Sequence, residues 1–318
     1  MSMDEFGLIR RFFAQPSMLR DDVSLGIGDD AALLKVPPGH ELAVSTDSLI
    51  SGVHFPADLP AGAVGHRALA ANLSDLAAMG AAPAWVLMAL TLPEADESWL
   101  EAFSGGFFAL AKRHVVALVG GNMARGPLNV TLTVHGLVPQ GLALTRAGAR
   151  VGDLIYVTGN PGDAAAGLEL LQAGGSDMSH PCVQRFAYPE PRIAIGLALR
   201  GIASAAIDVS DGLLADLGHL LEARGFGAKL SLGRLPVSKE LLALKGQEDS
   251  WRLALTGGDD YELCFTVHAD KAVAAEGALQ AVGCAVTCIG AIESTPGIHC
   301  IDPKGQTRTY LRPGHRHF

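Results

Sequence analysis

Five short stretches of this sequence put carboxylates where an ordinary surface would not. They are Gly26-Ile27-Gly28-Asp29-Asp30, Ser45-Thr46-Asp47-Ser48, Asp75 within the alanine- and leucine-rich run from Leu69 to Met79, Asp208-Val209-Ser210-Asp211-Gly212, and Gly257-Gly258-Asp259-Asp260-Tyr261-Glu262. Surface acids normally mix with Lys and Arg, whereas these stand in small-residue turns or beside apolar runs, with almost no lysine nearby. Taken alone, an Asp in a Gly/Ser turn is a turn former or a helix N-cap, and Asp211 could simply cap a helix beginning at Leu213. Adjacent carboxylates repel unless screened, however, and a buried unpaired carboxylate neutralises or finds a partner. Several such clusters in one chain call for cations from solution. Oxygen donors from Asp, Ser and Thr, with no thiolate or paired imidazole, point to magnesium rather than zinc. Magnesium keeps several waters and bridges carboxylates to substrate phosphates, so a phosphorylated substrate is the leading inference. A polyphosphate such as ATP would approach so acidic a site only through metal bridges.

The glycines are less specific. No Gly-x-x-x-x-Gly-Lys-[Ser/Thr] run occurs, which excludes a P-loop. Gly159-Asn160-Pro161-Gly162-Asp163 follows a strand pattern and precedes a helix pattern, but lacks the Rossmann spacing and reads as a strand-to-helix turn. Gly120-Gly121-Asn122 follows an apolar strand, and two glycines there permit close backbone approach to a ligand. The cysteines, Cys182, Cys264, Cys284, Cys288 and Cys300, are odd in number, which argues against a disulfide framework. Cys284 and Cys288 have a zinc-like spacing, but they lie in an apolar stretch without a second pair and read as buried free thiols.

The elements that must position these groups are strands alternating with helices, an α/β and α+β architecture. In the first half, strands are predicted over Leu42 to Thr46, Trp85 to Leu92, Val115 to Val119 and Asn129 to Val138. Helices there are predicted over His66 to Met79, stopped by Gly80 and Pro83, and over Glu97 to Arg113. The stretch from Pro139 to Arg150 breaks periodicity and reads as a connector, giving domains over 1–139 and 150–318. The second unit is predicted to hold strands at Leu154 to Thr158, Ala205 to Val209, Lys229 to Leu232, Leu263 to Val267 and Ala285 to Ile289. Its predicted helices lie near Asp163 to Gln172 and Arg192 to Arg200, and the tail from Pro296 has mixed character. The length of 318 residues fits two domains at about 100 to 200 residues each. With 49% hydrophobic residues the chain is not disordered, and a net charge of −9 argues against a basic nucleic-acid binder. No apolar run approaches the roughly 18 residues of a membrane span. The start has no basic segment followed by an apolar block, so a cytoplasmic location is expected.

In order, Gly26-Ile27-Gly28-Asp29-Asp30, Ser45-Thr46-Asp47, Asn72-Leu73-Ser74-Asp75-Leu76-Ala77-Ala78-Met79-Gly80, Asp208-Val209-Ser210-Asp211-Gly212-Leu213 and Gly257-Gly258-Asp259-Asp260-Tyr261-Glu262-Leu263 closely resemble bacterial thiamine-monophosphate kinases. Val53-His54-Phe55, Gly121 to Leu128 and Leu144-Thr145-Arg146 also fall where that family has its motifs, and the resemblance runs from Phe6 to Phe318. It implies the two-domain fold shared with aminoimidazole ribonucleotide synthetase, selenophosphate synthetase and a hydrogenase maturation factor. In that fold an α/β N-terminal ATP- and magnesium-binding domain pairs its sheet with a second copy in a homodimer, and an α+β domain follows. It also implies transfer of the γ-phosphoryl group of ATP to thiamine monophosphate, giving thiamine diphosphate and ADP.

Carried over by position, the resemblance makes Asp30, Ser45, Thr46, Asp47, Asp75, Asn122, Asp208 and Asp211 the ligands of several magnesium ions. Gly121, Asn122, Arg146 and Ser210 become ATP contacts, and His54, Asp259 and His315 thiamine-phosphate contacts. Three positions depart from the usual pattern. Asn122 stands where the family commonly has a metal-binding Asp, Asp259 replaces the more frequent Glu, and His315 replaces an aromatic residue. Another ATP-dependent member of the superfamily is the nearest alternative. A selenophosphate synthetase, though, would carry a reactive Cys or selenocysteine near its start, and no Cys precedes Cys182. A calcium-binding scaffold would need an Asp-x-Asp-x-Asp-Gly loop, which is absent.

Overall fold

The computed structural model describes residues 4–14, 20–175, 177–222 and 224–310. The chain forms two compact units, Met1–Leu76 with Ala81–Gly141, and Ala77–Gly80 with Leu142–Phe318. The first begins with a short helix, α1 (Glu5–Leu8), capped by the Asp4 carboxylate on the Gly7 amide at 2.8 Å. A small antiparallel pair, β1 (Val23–Leu25) and β2 (Leu33–Leu34), follows. Then come β3 (His40–Ile50), α2 (Ala61–Ala78), β4 (Ala82–Leu92), α3 (Glu97–Arg113), β5 (Ala117–Arg125) and β6 (Asn129–Pro139). The four long strands make a sheet ordered β3-β6-β4-β5, antiparallel except for β4 beside β5.

Period-two patterning gives that sheet two unlike faces. On β6, Val130, Leu132 and Val134 are fully buried, while Thr131, Thr133 and His135 between them are half-buried. α3 supplies Leu100, Phe103, Phe107 and Ala111 at helical spacing to the core, and Asp96 caps it by accepting the Ser98 and Trp99 amides. On the other face, Trp85, Ala117 and Val119 pack under Val23 and Leu34 of the β1–β2 pair and Ala32 just before β2. Trp85 Nε1 donates to Asp22 at 2.9 Å, and Arg20 bonds the same carboxylate, which holds Asp22 below its usual range.

The second unit contains β7 (Leu154–Thr158), α4 (Asp163–Gln172), α5 (Pro181–Ala187), α6 (Ile193–Ala198), β8 (Ala205–Val209), α7 (Leu213–Glu222) and β9 (Gly227–Ser231). It continues with α8 (Lys239–Thr256), β10 (Glu262–Val267), α9 (Ala272–Ala281), β11 (Val286–Glu293), β12 (Gly297–Ile301) and β13 (Thr307–Arg308). Its seven-stranded sheet is ordered β13-β12-β9-β11-β7-β10-β8, with β12 and β9 the parallel pair. Leu213, Leu217, Leu220 and Leu221 of α7 bury against Ile155, Val157, Ile207 and Val209 of the strands. Among the described residues, no helix is long and apolar enough to cross a membrane.

Candidate active site

Asp75 is the position at which α2 opens. Every residue from Ala63 to Ala78 is buried except Asp75, which is half-exposed. Its Oδ2 accepts the Ser45 hydroxyl of β3 at 2.5 Å. One turn earlier, the buried Asn72 donates to the Ala68 carbonyl at 3.0 Å and accepts the Asp47 amide at 3.1 Å. Ser45 and Asp47 share one face of β3 by strand alternation, so a helix and a strand present Ser45, Asp47 and Asp75 together. Thr46 lies on the opposite face: its hydroxyl donates to the Leu132 carbonyl at 2.9 Å and neighbours Thr133. Thr46 therefore turns its hydroxyl away from the Ser45 and Asp47 side chains. His54 sits in the turn after β3, its Nδ1 accepting the Ile50 amide at 3.0 Å, which places the proton of the neutral ring on Nε2.

The same unit holds a cavity of about 1000 Å³ lined by Asp29, Asp30, Gly121, Asn122 and His135, with Phe13, Met88 and Leu118 on its apolar side. This size suits a ligand larger than an ion. Gly121 proves indispensable for a reason internal to the fold. Its φ is +152°, and a Cβ there would lie 1.9 Å from the Met88 carbonyl oxygen of β4. β5 can thus run through Gly120-Gly121-Asn122, instead of ending at Val119, and carry Asn122 to the cavity. His135 has its Nδ1 buried without a partner among the described residues, and burial holds its ring below the usual imidazole range.

A second constellation is built within the other unit, at the end of β8. Asp208 is buried on the strand, and Ser210 and Asp211 follow it half-exposed. Gly258 to Tyr261 is stitched to this loop: the Asp259 amide donates to the Ser210 carbonyl and the Tyr261 amide to the Val209 carbonyl, both at 2.8 Å. Asp259 and Tyr261 have φ of +70° and +50°, a left-handed backbone that non-glycine residues adopt only under constraint. The Tyr261 hydroxyl reaches Asp259 at 3.3 Å. Behind the turn, both Asp260 oxygens accept the Gly162 amide, and burial raises this carboxyl well above its ordinary value. Glu262 is fully buried between Arg185 and Arg192 and also accepts the Thr158 hydroxyl at 2.5 Å. Asp216 of α7 accepts the amides of Ser210, Asp211 and Gly212, each at 3.1 Å. Its carboxyl is pushed up to about 7, first by burial and then by Asp211.

Arg146 is exposed in the 3-10 turn Arg146–Gly148 within the stretch expected to be a connector, and His315 lies outside the described residues. Sequence reasoning missed Asn72, His135 and Asp216 as site residues. Asn72 could have been found from its place three residues before Asp75 on a buried helix; Asp216 had no signal beyond being an acid near a helix start.

The two halves match the family models "AIR synthase related protein, N-terminal domain" over residues 28–138 and "AIR synthase related protein, C-terminal domain" over 150–302. A thiamine-monophosphate kinase of Salmonella typhimurium is 48% identical, covering 100% of this chain and 99% of its own. The chain belongs to the thiamine-monophosphate kinases. Among solved members of the family, the enzyme from Stenotrophomonas maltophilia K279a superposes with a TM-score of 0.88 at 47% identity, covering 97% of this chain and 99% of that one. The complex of AaThiL with AMPPCP and TMP superposes at 0.78 with 31% identity, covering 99% and 97%.

Proposed function

We propose that this chain transfers the γ-phosphoryl group of ATP to the phosphate of thiamine monophosphate, giving thiamine diphosphate and ADP. The observation that carries the reading is the gathering of Asp30, Gly121 and Asn122 on one cavity in a chain so similar to thiamine-monophosphate kinases over its whole length. AMPPCP is a non-transferable analogue of ATP, and its presence with TMP in a relative supports the same pair of substrates here.

Magnesium fits the donor set. Asp30, Ser45, Asp47, Asp75, Asn122, Asp208 and Asp211 offer oxygen atoms, and among the described residues no three His, Cys, Asp or Glu side chains close a cage. Such open groups suit an ion that completes its shell with water and substrate phosphate. Held by these residues, magnesium would supply charge neutralisation to the phosphates during transfer.

The acceptor is already a phosphate oxyanion, so no general base is needed and the protein's task is positioning. Ser45, Asp47 and Asp75 in the first unit, and Asp208 and Asp211 in the second, are each assigned to magnesium, and Ser210 to the nucleotide. Arg146 offers a planar fork to a phosphate. His54 and Asp259, and His315 beyond the described residues, are assigned to thiamine phosphate. The protein acts as a homodimer: Leu42, Val44 and Ile50 stand exposed on one face of β3, an apolar surface that a second copy's sheet would cover. Incubation with ATP, magnesium and thiamine monophosphate, with product analysis, tests the reaction. Formation of thiamine diphosphate and ADP in equal amounts is the expected result, and ATP hydrolysis alone would overturn it.

A further inference from the structure

Asp216 is a buried acid, 4% exposed, to which the reaction assigns no role. One of its oxygens, Oδ2, accepts three successive backbone amides, those of Ser210, Asp211 and Gly212, each at 3.1 Å. Three converging amides form a concave nest of the kind that binds anions. Here an internal carboxylate fills it, so the loop has only its Ser210 and Asp211 side chains to offer outward. Helix capping does not account for the arrangement. α7 begins at Leu213, and the amides of Ser210 and Asp211 lie ahead of it, whereas a capping carboxylate accepts amides inside the first turn. On its carbonyl side the same loop is held by the Asp259 amide on Ser210. Gly212, at φ +117°, closes the bend where a Cβ would lie 3.0 Å from the Thr256 carbonyl.

We infer that Asp216 is a positioning residue: by filling the nest of amides 210–212 it fixes the one loop geometry in which Ser210 and Asp211 meet the magnesium–nucleotide complex. The inference rests on the assignment of Asp211 as a magnesium ligand. Asp216 touches neither ion nor substrate and acts through the loop.

The test uses the full-length enzyme with Asp216→Asn, Asp211→Asn and the double variant, reading the magnesium concentration for half-maximal rate, the melting temperature, and amide hydrogen exchange at 210–212 without metal. Asp216→Asn should accelerate exchange at those three amides and raise the half-saturating magnesium about tenfold, the range that partners behind metal ligands contribute. Asp211→Asn should raise the magnesium requirement without accelerating exchange. The double variant should need no more magnesium than Asp211→Asn alone, because both changes act on one ligand. A lower melting temperature with wild-type magnesium dependence and exchange in Asp216→Asn would reduce Asp216 to a structural acid and overturn the inference. Unchanged magnesium dependence in Asp211→Asn would instead overturn the ligand assignment, while the exchange result still reports whether Asp216 holds the loop. If Asp216→Asn does not fold, Asp216→Ser, a smaller neutral acceptor, is read in the same way.

Discussion

Ser45 of β3 donates its hydroxyl to Asp75 of α2 at 2.5 Å, joining a strand and a helix that lie thirty positions apart in the chain. The bond explains how a carboxylate survives in a helix buried on every other position around it: Asp75 has a donor on one side and an opening on the other. It also shows what a substitution at Asp75 would change, since an amide could still accept the Ser45 hydroxyl while losing the charge.

Asp75→Asn should therefore leave the fold intact and lower turnover by more than roughly 100-fold, the scale on which losses around a metal reach catalysis. Circular dichroism and a kinase assay at ordinary magnesium check both halves. A folded and fully active variant would remove Asp75 from the metal set.

Glu262 sets a different kind of constraint, because two arginines and a threonine converge on a carboxylate that has no contact with water. Replacing it by Gln keeps the shape but leaves Arg185 and Arg192 facing a neutral group. Breaking a buried pair in this way costs about 3 kcal/mol or more, and the cost should appear in denaturant unfolding of Glu262→Gln. Because the β10 turn carries Asp259, the thiamine-phosphate KM should rise with it.

Much of this architecture was legible from patterning alone. The strands at Leu154–Thr158 and Ala205–Val209 and the helices at Glu97–Arg113 and Asp163–Gln172 stand where periodicity and breakers place them. α8 was not legible, since Gly246 at φ +71° interrupts it and its apolar spacing does not run through that break. β12 and β13 in the tail are short strands, and a pattern of so few residues does not stand out from loop. In the site, Asp75 was conspicuous because a charge in an apolar helix demands a partner. Asn72 and Asp216 were not, because their work is to hold backbone amides, and which amides reach them is decided only when the chain folds.

Asp163 opens α4 at 7% exposure, with the Ser238 hydroxyl on its Oδ1 at 2.6 Å. Burial pushes its carboxyl from 3.8 up to about 6. Between these values the folded chain holds a proton that the unfolded chain releases, so this group's contribution to stability falls as pH rises from about 4 to about 6 and then levels off. Asp163→Asn keeps the acceptor for Ser238 and cannot ionise. It should match the wild type near pH 4 and gain up to roughly 3 kcal/mol above pH 6, read as melting temperature against pH. An equal gain at pH 4 and pH 7 would mean that ionisation of Asp163 is not the cause.

Asn122 offers the sharpest test of how charge at the cavity governs the metal. β5 brings it to the same cavity as Asp30, at a position where the resemblance implies a carboxylate and this chain carries a neutral amide. A nearby magnesium ion would keep an oxygen donor but lose the attraction of a full negative charge. Asn122→Asp restores that attraction, and a carboxylate close to a dication is favourable even at high effective dielectric. The opposing effect is repulsion between the new charge and the ATP phosphates, which prevails only where the ion is missing. At saturating ATP the variant should therefore reach half-maximal rate at lower magnesium than the wild type. An unchanged or raised half-saturating concentration would take Asn122 out of the metal set and leave it to the nucleotide or to the strand that Gly121 allows to pass Met88.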